Sequence, residues 1–283
     1  MTRKVFVLFL FFIISSVAFS QTGKLAKGKQ SLKENRSVKP TFASTTTKST
    51  SSKRSQREYN EDLGFGFLLK EIFVKLFAYT TYGLVVESPF EKESKMHDAE
   101  LSNYPYKQAS FGNYIYTDSI NYNITRFDVY TSYVKENNNL SGVNLGVDFR
   151  FLKRLSLGVH FTELKEKTIT GKEYFSSFSS LLKYHRIRTQ KIDAWFGLGF
   201  LHVGNNVNNS GFAFGLGADW FVTKPVSIHV SHKWANINKH EINNLKLLLK
   251  YHIKRYHIAS GYEHFKIGPS KINTFSLGIG VSF

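Results

Sequence analysis

The sequence predicts an all-β fold: an antiparallel up-and-down β-barrel of ten strands, or alternatively twelve, preceded by a short amphipathic helix and a disordered arm. Three observations predict it. Apolar and polar residues alternate with period two, segment after segment, over residues 124–283. The connections between these segments also alternate, one set tight and basic or Pro-containing, the other longer and rich in Asn and Gly. After residue 20 no stretch of about 18 apolar residues occurs, so no helix is suited to cross a bilayer.

Composition bounds the rest. The chain has 283 residues, 42% of them hydrophobic and 16% aromatic, too apolar for wholesale disorder and long enough for one large domain or two small ones. The absence of Cys excludes a disulfide scaffold, a thiolate metal site and a Cys nucleophile. The net charge of +17 is unevenly spread: residues 21–57 hold ten basic residues against the single acid Glu34, whereas the 226 residues after them carry +6. A short basic tail binds any polyanion, so the charge does not single out nucleic acid, and no nucleic-acid partner is expected.

Residues 1–20 read as a signal peptide. Arg3 and Lys4 precede an apolar stretch from Val5 to Ala18, and Ala18-Phe19-Ser20 offers small residues at both cleavage-reading positions, which predicts a mature start at Gln21. Residues 21–58 are Lys, Ser, Thr and Gln with almost no large apolar side chain, and read as a basic disordered arm. Its lysines suit anionic cell-wall polymers or headgroups, or it is a plain solvated spacer. Residues 59–123 form a helix or loop segment. Asp62 to Tyr79, with the Glu71/Lys75 pair, reads as an amphipathic helix at the rim of a barrel. The alternative is an extra hairpin over about 71–82 and 108–118. Asn103-Tyr-Pro-Tyr106 and Tyr114-Ile-Tyr116 are expected to pack against a barrel end.

Strands are predicted near 124–137, 140–152, 154–167, 173–188, 191–205, 211–223, 225–237, 242–253, 256–267 and 272–283. The 242–253 segment also shows some helical period (Leu245, Leu248, Leu249, His252). Each strand has an apolar and a polar face. On the polar faces fall Arg126, Asp128, Asp148, Arg150, His160, Lys183, His185, Asp219, His229, Lys233, Lys246, Lys250, His252 and Glu263, among Gly and Ser. Exposed soluble strands favour Lys, Glu and Thr; small residues mixed with pairable charges suit a narrow enclosed interior. The apolar faces end in aromatics, among them Phe151, Tyr184, Trp220, Tyr251 and Tyr256 near the tight turns and Trp234 near the longer loops. Two aromatic bands flanking an aliphatic belt are what a bilayer requires of an outward surface. The expected orientation is therefore apolar outward and polar enclosed throughout.

The signal, the dyad repeat over 124–283 and the ending Phe275-Ser-Leu-Gly-Ile-Gly-Val-Ser-Phe283 resemble a bacterial (Gram-negative) outer-membrane β-barrel protein of the small up-and-down type. The resemblance covers a little over half the chain and identifies an architecture. It implies a bacterial outer-membrane location after signal cleavage, with lipid bilayer and lipopolysaccharide as surroundings. It also implies a C-terminal strand, closed by Phe283, that is read by the barrel-insertion machinery.

Catalytic motifs are scarce. His240-Glu241 lacks the second His of a zinc helix, and no G-x-S-x-G elbow occurs. Gly197-Leu-Gly199, Gly215-Leu-Gly217 and Gly278-Ile-Gly280 lie inside alternating strands, where glycine makes room in a crowded lumen. His229 with Ser227, Ser231 and Lys233 on one strand face permits a barrel hydrolase acting on lipid, lipopolysaccharide or peptides, but a structural role is the simpler reading, and His160 beside Asp148 across the hairpin reads as a satisfied lumen pair. No metal or cofactor is expected. The main expectation is a non-enzymatic, porin-like barrel, structural or a narrow anion-preferring pore, since the lumen holds more Lys and Arg than Asp and Glu. The alternatives are the hydrolase and a soluble exported barrel binding an apolar ligand.

Overall fold

The computed structural model describes residues 23–33, 99–107, 112–116, 125–169 and 171–283. The export signal and the helix expected over 62–79 lie outside the described residues. Ten strands close into one antiparallel barrel: β3 (Arg126–Lys135), β4 (Leu140–Arg150), β5 (Leu155–Thr168), β6 (Gly171–Arg188), β7 (Ile192–Val203), β8 (Asn209–Thr223), β9 (Val226–Ile237), β10 (His240–Ile253), β11 (Tyr256–Ile267) and β12 (Ser270–Ser282). Each pairs with its sequence neighbours, and β12 returns to β3 to seal the cylinder. The barrel is thus ten-stranded. β1 (Ala99–Leu101) and β2 (Tyr114–Tyr116) pair with each other, not with the barrel. The 242–253 segment is a strand paired on both sides; its helical period arises because Leu248 points inward among the polar residues.

Turn chemistry explains the tight connections. Asn238 and Lys239 both have positive φ (50° and 65°), the backbone of a two-residue turn that matches strand twist. Several loops expected to be longer are this short, because β5, β6, β10 and β12 run on past their predicted ends. We call the end bearing Asn238 the Asn-turn end and the other the Phe283 end. Register shifts occur in β6 between His185 and Ile187 and in β8 between Phe221 and Thr223, both near the Phe283 end.

The expected orientation holds over part of the height and reverses over the rest. On β12, Phe275, Leu277, Ile279 and Phe283 face out, Ile279 at 62% exposure, while Thr274, Ser276 and Ser282 are buried inside. The run from Phe275 to Phe283, at ~3.3 Å per residue and a tilt of ~40°, makes a belt about 20 Å tall. On β5 the outward Leu157 to Phe161 give way, toward the Asn-turn end, to outward Glu163 and Lys165, and the inward side changes to Leu164. There the inside is apolar: Val134, Leu140, Leu164, Phe175, Ile237, Ile242, Phe265, Ile267 and Ile272 form a core cluster within the barrel. Period two requires two unlike faces; it does not say which one meets water at a given height.

The cause of the reversal is α1 (Lys24–Lys33), which joins that cluster through Leu25 and Leu32, both fully buried. Residues 24–33 of the expected disordered arm are therefore a helix held inside the barrel. Leu25, Gly28 and Leu32 form one stripe, and a fully apolar pocket offsets the ordering entropy that the isolated segment could not.

Candidate functional site

The lumen is the candidate site, and it has three storeys. At the Asn-turn end sits α1. Its first-turn amides, which no helical carbonyl can satisfy, donate to Glu166 of β5: Gly23 N and Lys24 N to Oε1 at 2.8 and 3.1 Å, Leu25 N to Oε2 at 2.8 Å. Lys24 pairs with Glu136 at 2.7 Å and Lys29 with Glu173 at 2.5 Å, while Asn238 donates to the Leu32 carbonyl. Gly28 allows the close approach: a Cβ would lie 2.9 Å from Ile267 Cγ2 and 3.1 Å from its carbonyl oxygen, so any larger residue requires Ile267 to shift.

At the Phe283 end residues 99–107 and 112–116 occupy the opening by polar contact. Tyr106 donates to the Val226 carbonyl at 2.6 Å and sits edge-on to Phe221 and His252, at 5.5 and 5.3 Å between centroids. Asn113 donates to Asp193 at 3.0 Å and accepts from Arg126 at 3.0 Å. Arg150 donates to the Tyr114 hydroxyl and, at 3.0 Å, to Asp193. Burial pushes the Tyr106 and Tyr114 phenols above their ordinary value, so both stay protonated.

Between these closures lies a cavity of about 130 Å³. Arg126, Asp128, Asp148, Arg150, His160, Lys183, His185, Asp219, His229, Lys233, Lys246 and Lys250 all line it. Glu263 is fully buried behind Lys246, 3.2 Å from its ammonium, and also accepts from Asn144. The pairing is dense: Arg126 with Asp128 at 2.8 Å, Arg150 with Asp193 at 3.0 Å, Lys250 with Asp219 at 2.9 Å, and Lys183 with Asp148. Lys183 also lies 4.3 Å from the Trp195 ring centroid. Trp195 fits only because Gly217 faces it, where a Cβ would come within 2.5 Å of the indole. His160 is bonded to Tyr130 at 2.5 Å and not to Asp148, whose carboxylate is taken by Lys183.

Two rows have the atoms of a hydrolytic triad. His229 bonds Asp219 at 3.0 Å and Ser231 at 3.1 Å; His185 bonds Asp193 at 2.7 Å and Ser156 at 2.9 Å. Neither row has what acyl transfer also requires, a pair of unengaged backbone amides converging on one point, because strand amides are committed to the ladder. Among the described residues no group of three or more His, Cys, Asp or Glu could hold a metal ion.

Asp193, Trp195, Tyr130, His257 and Phe221 were not singled out from sequence. Asp193 follows a tight turn, and the β6 register shift opposite it cannot be read from alternation. Phe221 follows the outward Trp220 and is inward by the same alternation that encloses Asp219; the β8 shift comes after it. Glu166 carried a usable signal, an acid on the inward parity of β5.

Outside, Trp220, Tyr251, Tyr256 and Phe283 are well exposed near the Phe283 end, and Phe151 and Tyr184 are half-buried. Trp234 packs on His232 with centroids 3.9 Å apart. A closed, even-stranded up-and-down barrel with an apolar belt outside and charges enclosed defines a membrane-spanning β-barrel. No family model and no curated relative matches the sequence. Solved structures do resemble the barrel. They include Ail of Yersinia pestis in a phospholipid nanodisc (16% identity, TM-score 0.32, 56% of this chain and 99% of that one). OprG of Pseudomonas aeruginosa is similar at 10% identity and TM-score 0.31, over 56% of this chain and 96% of that one. An outer-membrane channel from Pseudomonas putida F1 is similar at 10% identity and TM-score 0.34, over 56% and 95%. At these values the likenesses carry no argument about role.

Proposed function

We propose that this chain is a non-enzymatic outer-membrane barrel whose lumen is structural or a narrow anion-preferring pore. The observation that supports it is the polarity of the wall: an exposed belt including Leu145, Leu182, Leu198 and Ile279 around an interior of ion pairs. An apolar-ligand carrier would have the opposite interior at mid-height. In this reading the Phe283 end faces the periplasm, and the insertion machinery reads β12. Lys24 and Lys29 are engaged with Glu136 and Glu173, so they are not offered to cell-wall polymers while α1 is docked. α1 occupies the lumen at one end and residues 99–107 and 112–116 at the other, and passage requires α1 to leave and the opposite residues to shift. A hydrolase remains the second reading because of the Asp219–His229–Ser231 row; retained His229→Ala activity in any lipid or peptide assay removes it.

Envelope fractionation with a heat-modifiability gel tests the location: a membrane-associated species that changes mobility on boiling is expected, and a monodisperse protein in plain buffer overturns the reading. Planar-bilayer recording across a KCl gradient tests the pore. The full chain should conduct little, deletion of residues 24–33 should raise conductance, and the reversal potential should favour chloride. Cation preference sinks the anion-preferring clause.

A further inference from the structure

We propose that the mid-lumen cavity is a binding site for one small inorganic anion, seated at Lys233 of β9. Six cations line the cavity: Arg126, Arg150, Lys183, Lys233, Lys246 and Lys250. Five of them hold a carboxylate, as Asp128, Asp193, Asp148, Glu263 and Asp219 respectively pair with Arg126, Arg150, Lys183, Lys246 and Lys250. Lys233 is different: its ammonium donates to the Ser179 hydroxyl at 3.0 Å, and among the described residues no ion pair to a carboxylate forms at it.

Enclosing an ammonium with no carboxylate in direct contact is costly, and a mobile anion removes that cost. Lys183 and Lys246 share the cavity wall but are each neutralised by a carboxylate, so the one positive charge in excess among these groups is that of Lys233. The same wall holds a hydroxyl with unused capacity. Ser276 Oγ is buried and has no hydrogen-bond partner among the described residues, although a buried hydroxyl normally finds one. A volume of about 130 Å³ has room for a halide with its water or for a tetrahedral oxyanion. Halide and oxyanion share the chemistry that the site reads, negative charge and hydrogen-bond acceptance.

This deepens the cation-rich lumen of the reading above and rests on that part of it alone, not on conduction. The test is calorimetric titration of the purified full-length barrel in detergent micelles with sodium bromide and, separately, with inorganic phosphate. Saturable binding of at least one is expected, and Lys233→Met should weaken it tenfold or more while Lys233→Arg retains it. Binding of bromide alone assigns a halide site; binding of phosphate alone assigns an oxyanion site. Lys266→Met, which alters an ion pair at the outer surface, should leave binding unchanged. No saturable binding by the wild-type chain overturns the proposal whatever the variants do, and so does binding that survives Lys233→Met intact. If Lys233→Met does not assemble, bromide anomalous scattering from the wild-type crystal decides: a peak beside Lys233 is required, and a peak elsewhere overturns it. The heat-modifiability gel is read on the same samples, so failure of the barrel reading is distinguished from failure to bind.

Discussion

The two ends of this barrel are closed by different physics. At the Asn-turn end an apolar pocket grips Leu25 and Leu32, with charge used only at the edges of the helix. At the Phe283 end a network of Arg126, Arg150, Asn113, Asp193 and two tyrosines holds residues 99–107 and 112–116. Apolar docking is tolerant: it loses strength in proportion to the area removed. A buried charge network is intolerant, since removing one member strands the others without partners.

That contrast can be broken at its strongest point first. Asp193 is 2% exposed and serves Arg150, His185 and Asn113 together. Asp193→Ala should cost about 3–5 kcal/mol, because Arg150 loses its carboxylate inside the wall. Urea-induced loss of the unboiled gel species measures it, and a shift of under 1 kcal/mol would mean the network contributes little. Leu25→Ala should cost about 2–4 kcal/mol of helix docking, with the barrel itself intact. Protease cutting near residues 24–33 should rise while the cylinder stays heat-modifiable; loss of both together would show that α1 is part of barrel stability. A smaller effect sharpens the boundary between the two regimes. Ile279→Lys in the belt should cost about 2–3 kcal/mol when folded in bilayer, whereas Glu163→Lys, outward on β5 beyond the belt, should cost under ~0.5 kcal/mol. Equal costs would place the hydrocarbon boundary elsewhere.

The strands were legible because alternation is a property of neighbouring residues: Val143 to Phe151 and Phe275 to Phe283 announce their faces without tertiary help. The change of character of those faces was not, since Leu164 and Ile267 keep the inward parity of their strands and suit the interior there because the apolar side of a helix packs against them. The helix had its own faint mark, Leu25, Gly28 and Leu32 on one stripe, but four lysines in ten residues hid it within a basic segment. Of the lumen, parity revealed which charges share an interior. It could not pair them, because partners such as Arg150 and Asp193 sit on strands that do not adjoin and meet only across a closed cylinder.

The seam between β3 and β12 carries a consequence for assembly. Its ladder ends in a reciprocal pair, Phe127 N to Phe283 O at 3.1 Å and Phe283 N to Phe127 O at 2.9 Å. Every other strand neighbour is joined through a short hairpin and can zip as soon as both halves exist, whereas this pair brings together positions separated by more than half the polypeptide. Until they meet, the molecule is a curled ribbon with two raw margins, each able to recruit a stranger's backbone. How long that open form persists, more than how deep the final energy well is, sets its hazard of aggregating.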